Sequence, residues 1–207
     1  SLTYYAYLAV ARLDLGHVEV MPLFLRTPPL QDPSLGGKAD PMSAKPFEET
    51  VIPPNVAFPT DGQYVAFVWF WPIGDDKVTV SAPISVGSTQ TAPATLPEPS
   101  PFEEVAGLRI TLKTAGPLVA GEDSSIYFEA IDEAGQTRSQ EIAVVSRSVA
   151  RLLIIDEQVT TFLEQSLADP NNLEFRVNFP KSGRYKAWLQ FRHERKTQEI
   201  SFVIDVG

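Results

Sequence analysis

The chain states one pattern twice. "FPTDGQYVAFVWFWPIGDDKVTVSAPISV" (Phe58 to Val86) aligns with "FPKSGRYKAWLQFRHERKTQEISFVIDV" (Phe179 to Val206). In both copies Phe-Pro leads to a turn ending in Gly, and Tyr, Ala and Phe then fall at matching places. A hairpin follows, its turn slightly longer in the first copy. Each copy therefore reads as the end of a domain: turn, long strand, hairpin, final strand. The rest of the chain agrees, because 18 Pro and 12 Gly break it into short segments rich in Val, Ile, Thr, Phe and Tyr, the pattern of strands and turns.

A boundary lies between the copies. "SVGSTQTAPATLPEPSP" (Ser85 to Pro101) is a Pro/Ser/Thr/Ala stretch with little to bury. The expected organisation is an N-terminal β-sandwich over 1–88, a linker over 89–100 and a C-terminal β-sandwich over 101–207. The second copy has room for a full sandwich, with "GLRITLKT", "SSIYFEAID", "EIAVVS", "ARLLIID" and "LEFRVNF" as strands and "EAGQ" (Glu133 to Gln136) as a turn. The first copy opens directly on "TYYAYLAVARLDLGHVEVMPLF" and carries a long loop at Leu25 to Pro46. Its domain is either a smaller variant or has part of itself upstream of Ser1. The fold class expected is all-β: two tandem antiparallel sandwiches of immunoglobulin-like or cupredoxin-like type.

The repeat also assigns faces, since side chains alternate along a strand. In the second copy Tyr185, Ala187, Leu189 and Phe191 face the core, and Lys186, Trp188, Gln190 and Arg192 face a mostly wet side. In the first copy Tyr64, Ala66, Val68 and Phe70 are the core equivalents. The side that should be wet carries Val65, Phe67, Trp69 and Trp71. So apolar a face needs a cover, either from this chain or from a partner. Val65, Phe67, Trp69, Trp71 and Trp188 are the candidate interface residues.

Charge and composition remove several classes. A net charge of -9 opposes a nucleic-acid partner, which is bound through Lys and Arg, and opposes docking on anionic lipid. No Cys is present, so disulfides, thiolate metal sites and cysteine nucleophiles are out. No apolar run approaches the about 20 residues of a membrane helix, and any export signal or anchor is expected upstream of Ser1. The chain lacks G-x-S-x-G, P-loop, G-x-G-x-x-G and H-E-x-x-H motifs. Glu48/Glu49, Asp75/Asp76 and Glu103/Glu104 are adjacent pairs that read as solvated turns or opposite strand faces. No catalytic, cofactor-binding or metal-binding residue is assigned, and no cofactor is expected.

Residues Gly107 to Val206 resemble a family of bacterial extracytoplasmic β-sandwich modules often encoded near copper-handling or electron-transport genes. "FPKSGRYKAWLQF" is similar to that family's FP-x-x-G-x-Y-x-x-W-x-Q-F strand, and "ARLLIIDEQVTTFLEQS" is similar to a second motif in which members with a metal site carry histidines. The matching positions here are Arg151, Glu164 and Ser166, and in the looser first copy Glu19, Met21 and Pro22, with His17 nearby. The metal site that the resemblance would imply is not carried over.

What the resemblance implies is a periplasmic or extracellular setting. The function expected is that of a non-catalytic structural or interaction protein with a protein partner. It would be an extrinsic subunit docked on a larger membrane-associated complex of electron-transfer or photosynthetic type. Two alternatives stand beside it: a copper-binding or delivery module using His17 and Met21, and a small-ligand or glycan-binding sandwich using Trp69, Trp71 or Trp188 as stacking platforms. His193, in "RHERK", reads as a solvated turn residue.

Overall fold

The computed structural model describes residues 5–24, 56–71, 77–145, 148–169 and 171–207, so the loop expected at Leu25 to Pro46 lies outside the described residues. The chain divides into two compact units, Ser1–Arg12 with Gly16–Thr91, and Leu13–Leu15 with Ala92–Gly207.

The described residues of the first unit form one four-stranded antiparallel sheet. Its strands are β1 (Tyr5–Arg12), β2 (Val18–Phe24), β3 (Gly62–Phe70) and β4 (Val78–Val86), in the order β2-β1-β3-β4. One face carries a cluster of Ala6, Leu8, Val10, Leu23 and Tyr64, against which Met21, Phe58, Ile84 and Val86 pack. A second sheet facing this one, which a sandwich requires, is not found among the described residues of this unit.

The second unit is a sandwich. β5 (Phe102–Val105), β6 (Leu108–Thr114), β7 (Asp123–Asp132) and β12 (Glu174–Asn178) make one sheet in the order β12-β7-β6-β5. β10 (Arg151–Asp156), β11 (Phe162–Ser166), β13 (Gly183–His193) and β14 (Lys196–Val206) make the other, in the order β11-β10-β13-β14. All pairings are antiparallel. The inner faces share a core that includes Ile110, Ile126, Phe128, Leu152, Ile154, Phe175, Leu189 and Phe202. The Phe128 ring lies 5.8 Å from Phe175 and 5.5 Å from Phe202. Burying each such ring is worth about 1.5–3 kcal/mol.

One expected strand differs. "EIAVVS" begins inside a short helix, α1 (Ser139–Ala143), and only β8 (Val144–Val145) is extended, paired with β9 (Ser148–Val149). Ser139 starts that turn with its hydroxyl accepting the Ala130 N–H at 3.0 Å, Arg138 O accepts the Glu141 and Ile142 amides, and Ile142 is buried in the core. These local bonds override the β-branched composition.

The two copies share their register around the repeated tyrosine. Tyr64 sits opposite Arg12 and Ile84 as Tyr185 sits opposite Asp156 and Ile204. Each tyrosine hydroxyl donates to a carbonyl four residues upstream, Thr60 O or Lys181 O, at 2.7 Å in both cases. That tie-back is the tyrosine corner of immunoglobulin-type sandwiches. Phe58 and Phe179 brace the same rings at 5.1 and 5.0 Å. The β1–β2 and β10–β11 turns have equal length and the same kink: Leu15 and Val159 both have φ of 55°. A left-handed leucine or valine costs of order 1–2 kcal/mol, and both side chains are buried, which offsets that cost.

The Pro-rich segment is tied down at both ends. In the first unit Gln63 donates its amide to Thr91 Oγ1 at 2.9 Å and its side chain to Gln90 at 3.0 Å. A Cβ on Gly62 would collide with that Thr91 hydroxyl, so only glycine permits the approach. In the second unit Leu96 is buried. Its N–H donates to Glu157 Oε1 at 2.8 Å, its carbonyl accepts Arg184 at 3.1 Å, and Arg184 also binds Glu98 at 2.7 Å. Composition leaves this stretch little to bury, and Leu96 is the exception.

Candidate functional site: the aromatic edge of the first sheet

The apolar face of β3 is built by cross-strand pairing. Trp69 stands opposite Tyr7 on β1, and Phe67 opposite Ala9. The Tyr7 and Trp69 rings stack at 5.4 Å and 15°, and Tyr7 meets Trp71 edge-on at 6.3 Å and 86°. Such offset and edge contacts stabilise by about 0.5–1.5 kcal/mol beyond area burial. The alanines at Ala9 and Ala11, both fully buried, leave room beside the larger rings.

The five residues singled out by sequence separate here. Phe67, Trp69 and Trp188 are buried within a single chain, at 1%, 0% and 4% exposure, so no partner is needed to cover them. Val65 is half-buried. Trp71 alone of the five stands out, 47% exposed. Trp188 was expected on a mostly wet face. Its flanking residues Leu153 and Ile155 are buried too, and the Lys186 ammonium lies over its ring at 5.1 Å.

Further apolar surface lies on the opposite face of the sheet, where sequence reasoning did not look. Val78 and Val80 on the edge strand β4 are paired with Phe70 and Val68. They are 38% and 52% exposed. The equivalent of Val80 in the second copy is Ile200, 8% exposed in a closed core. The signal was present in the repeat alignment, which puts Val80 at a core position. β4 has no charged residue along its length, though Pro83 interrupts its ladder capacity, as edge strands often do.

The remaining candidates fall in structural places. Met21 packs against the apolar cluster of the first sheet, and His17 lies just before β2 with its carbonyl accepting the Arg12 amide. Arg151 and Ser166 are direct partners, with Glu164 opposite Leu153 on the same face. The Arg151 guanidinium is held by Gln190 at 2.7 Å. The strands thus bring together the three positions at which the resembling family has histidines, and an Arg–Gln pair occupies part of that place. No grouping of three or more metal-ligating side chains occurs among the described residues.

The perturbed ionisable groups also have structural partners. Burial raises the cost of ionising Asp156, but Lys181 at 2.9 Å, the Thr161 amide and both Thr160 donors outweigh it and hold the carboxyl below its ordinary value. Asp132 is held low by the Gln136 amide and, against some desolvation, by Arg138. Burial pushes Lys186 down, against the charge of Glu199.

Residues 103–207 match the family model described as Domain of unknown function (DUF8832). No curated protein matches the chain.

Proposed function

Starting from a chain that belongs to this family of unknown function, we propose that the protein is a non-catalytic interaction module. It docks on a protein partner through the exposed edge of its first sheet. The observation that carries this reading is exposed apolar surface at this margin of the sheet, Val78 and Val80 on one face and Trp71 on the other; the second-copy counterpart of Val80, Ile200, is closed into a core. Interface cores favour aromatic side chains and exclude charge, and β4 carries none. The setting proposed is extracytoplasmic, with the partner an extrinsic-subunit acceptor on a membrane-associated electron-transfer or photosynthetic complex. That part rests on the sequence resemblance and on the acidic charge of -9, which suits a protein surface better than an anionic lipid one.

The test is gentle solubilisation of native membranes, size fractionation, and detection of the chain across the fractions. Co-migration with a high-mass complex, lost in a Trp71→Ser, Val80→Glu variant that keeps its melting temperature, is the expected result. Migration at the mass of the free chain would overturn the docking reading.

A further inference from the structure

A strand at the edge of a sheet presents a row of unpaired backbone donors and acceptors, and folded chains commonly blunt that row with charge. The three four-stranded sheets have six edge strands, β2 and β4, β11 and β14, β12 and β5. Glu19, Glu164, Glu199, Glu174 and Glu103 place a carboxylate on five of them. The sixth, β4, has the sequence "VTVSAPISV" and no charged residue. In the register that the two copies share, Thr79 and Ser85 of β4 stand where β14 has Glu199 and Asp205. β14 also runs beside β5, while among the described residues β4 has no such neighbour apart from β3. Val78 to Pro83 are exposed without a break.

Pro83 sets the phase of this edge. It has no N–H, yet the pairing of β4 with β3 continues past it to Val86 opposite Gly62. Its nitrogen therefore belongs to the side of β4 that faces away from β3, the side on which sheets accept proline. Backbone groups alternate along a strand, so Thr79 and Ser81 turn their N–H and C=O the same way. Those groups, with the Pro83 carbonyl, form a pairing row that another extended backbone matches in spacing. The side chains add a preference. Val78 and Val80 offer an apolar flank on one face, and Thr79 and Ser81 a polar one on the other. An incoming strand in which β-branched apolar residues alternate with threonine or serine fits both. Acidic flanks on it would meet a chain of net charge -9. A second copy of this chain brings that same charge and a second Pro83 to the pairing, so a strand from another protein is the better match.

We propose that the protein partner docks by strand addition: an extended, uncharged segment of it pairs with the backbone of β4 at Thr79 and Ser81. This rests on the docking reading above and specifies its mode. The test titrates the full chain into fluorescein-labelled Lys-Thr-Val-Thr-Val-Thr-Lys, read by fluorescence polarisation. Saturable binding, weakened at least about tenfold by Ser81→Pro at unchanged melting temperature, is expected, because that substitution removes a donor from the outer row alone. A second comparison needs no change to the protein. N-methylation of the peptide's threonines, whose amides face Thr79 and Ser81, should abolish binding, and N-methylation of its valines should leave it within about twofold. No saturable binding, or equal binding by both methylated peptides, overturns the proposal. Ser81→Pro keeps Trp71, Val78 and Val80, so the membrane fractionation separates the two readings. Co-migration kept by Ser81→Pro but lost by Trp71→Ser, Val80→Glu overturns strand addition and leaves docking through the side chains. A parent chain that binds the peptide yet migrates alone upholds the strand-accepting edge and overturns the docking reading. Concentration-dependent dimers in sedimentation velocity, dissociated by Ser81→Pro, would assign the edge to a second copy and overturn the proposal.

Discussion

The sheet β2-β1-β3-β4 of the first unit and the sheet β11-β10-β13-β14 of the second share strand order, register, the length of the β1–β2 and β10–β11 turns, and the tyrosine corner, yet they are finished differently. In the second, the face bearing Tyr185, Leu189 and Phe202 is closed by a facing sheet. In the first, the equivalent face keeps Tyr64 buried but leaves Val78 and Val80 in the open. The backbone plan is thus set by local features that both copies retain. The cover over that plan is a separate choice. The exposed valines of β4 leave that margin of the first sheet with apolar surface that Ile200 in the second sheet does not offer.

The largest expected contrast comes from truncating equivalent sites. Ile200→Ala should cost about 2–5 kcal/mol through lost contacts and a cavity, while Val80→Ala, its exposed counterpart, should cost under about 0.5 kcal/mol. Urea unfolding of both variants measures this, and similar losses would mean that the two faces are equally closed. Leu96→Ala should cost about 2 kcal/mol, because that side chain is buried against the second unit. An unchanged midpoint would return the segment to the status of a loose linker.

Asp156 sharpens the comparison electrostatically, because its counterpart in the first sheet is Arg12. Asp156→Asn should cost about 1.5–3 kcal/mol at neutral pH, the range for hydrogen bonds to a charged group. The folded-state carboxyl lies below its ordinary value of 3.8. Its stabilisation is therefore present above about pH 4 and is lost as pH falls through the lower folded value. The penalty of the substitution should shrink in acid, and a pH-independent penalty would assign the effect to packing instead. The smallest effect tests sameness: Tyr64→Phe and Tyr185→Phe should each cost about 1 kcal/mol, and near-equal values are the expected outcome in chemical denaturation.

Much of this was legible in sequence because it is local or repeated. Phe58, Gly62 and Tyr64 mark the repeated turn and strand, alternation assigns the faces, and the Ser85 to Pro101 composition marks the segment between units; the hydroxyl tie-back of each tyrosine was not read from sequence. The all-β sandwich class followed from the same signals. What escaped depends on long separations or on conformations that residue type argues against. Nothing in a leucine or a valine signals the left-handed turns at Leu15 and Val159. Lys181 reaches Asp156 across 25 residues and Arg184 reaches Leu96 across 88. Burial of Trp188 needed Leu153 and Ile155 beside it on a neighbouring strand, and the exposure of Val80 depends on what does not cover it.

The hold on Leu96 bears on how the chain can be divided. Its N–H, carbonyl and side chain are all engaged, by Glu157, by Arg184 and by burial. A fragment begun at residue 101, where composition suggests a clean cut, would leave Glu157 without its amide donor and Arg184 without both its carbonyl and Glu98. A fragment meant to keep these bonds should begin no later than Ala92, though it would still lack Leu13–Leu15, whose carbonyls accept the Ala94 amide and the Lys186 ammonium, and a protease seeking an unfolded, extended substrate would find the Leu96 backbone already in use.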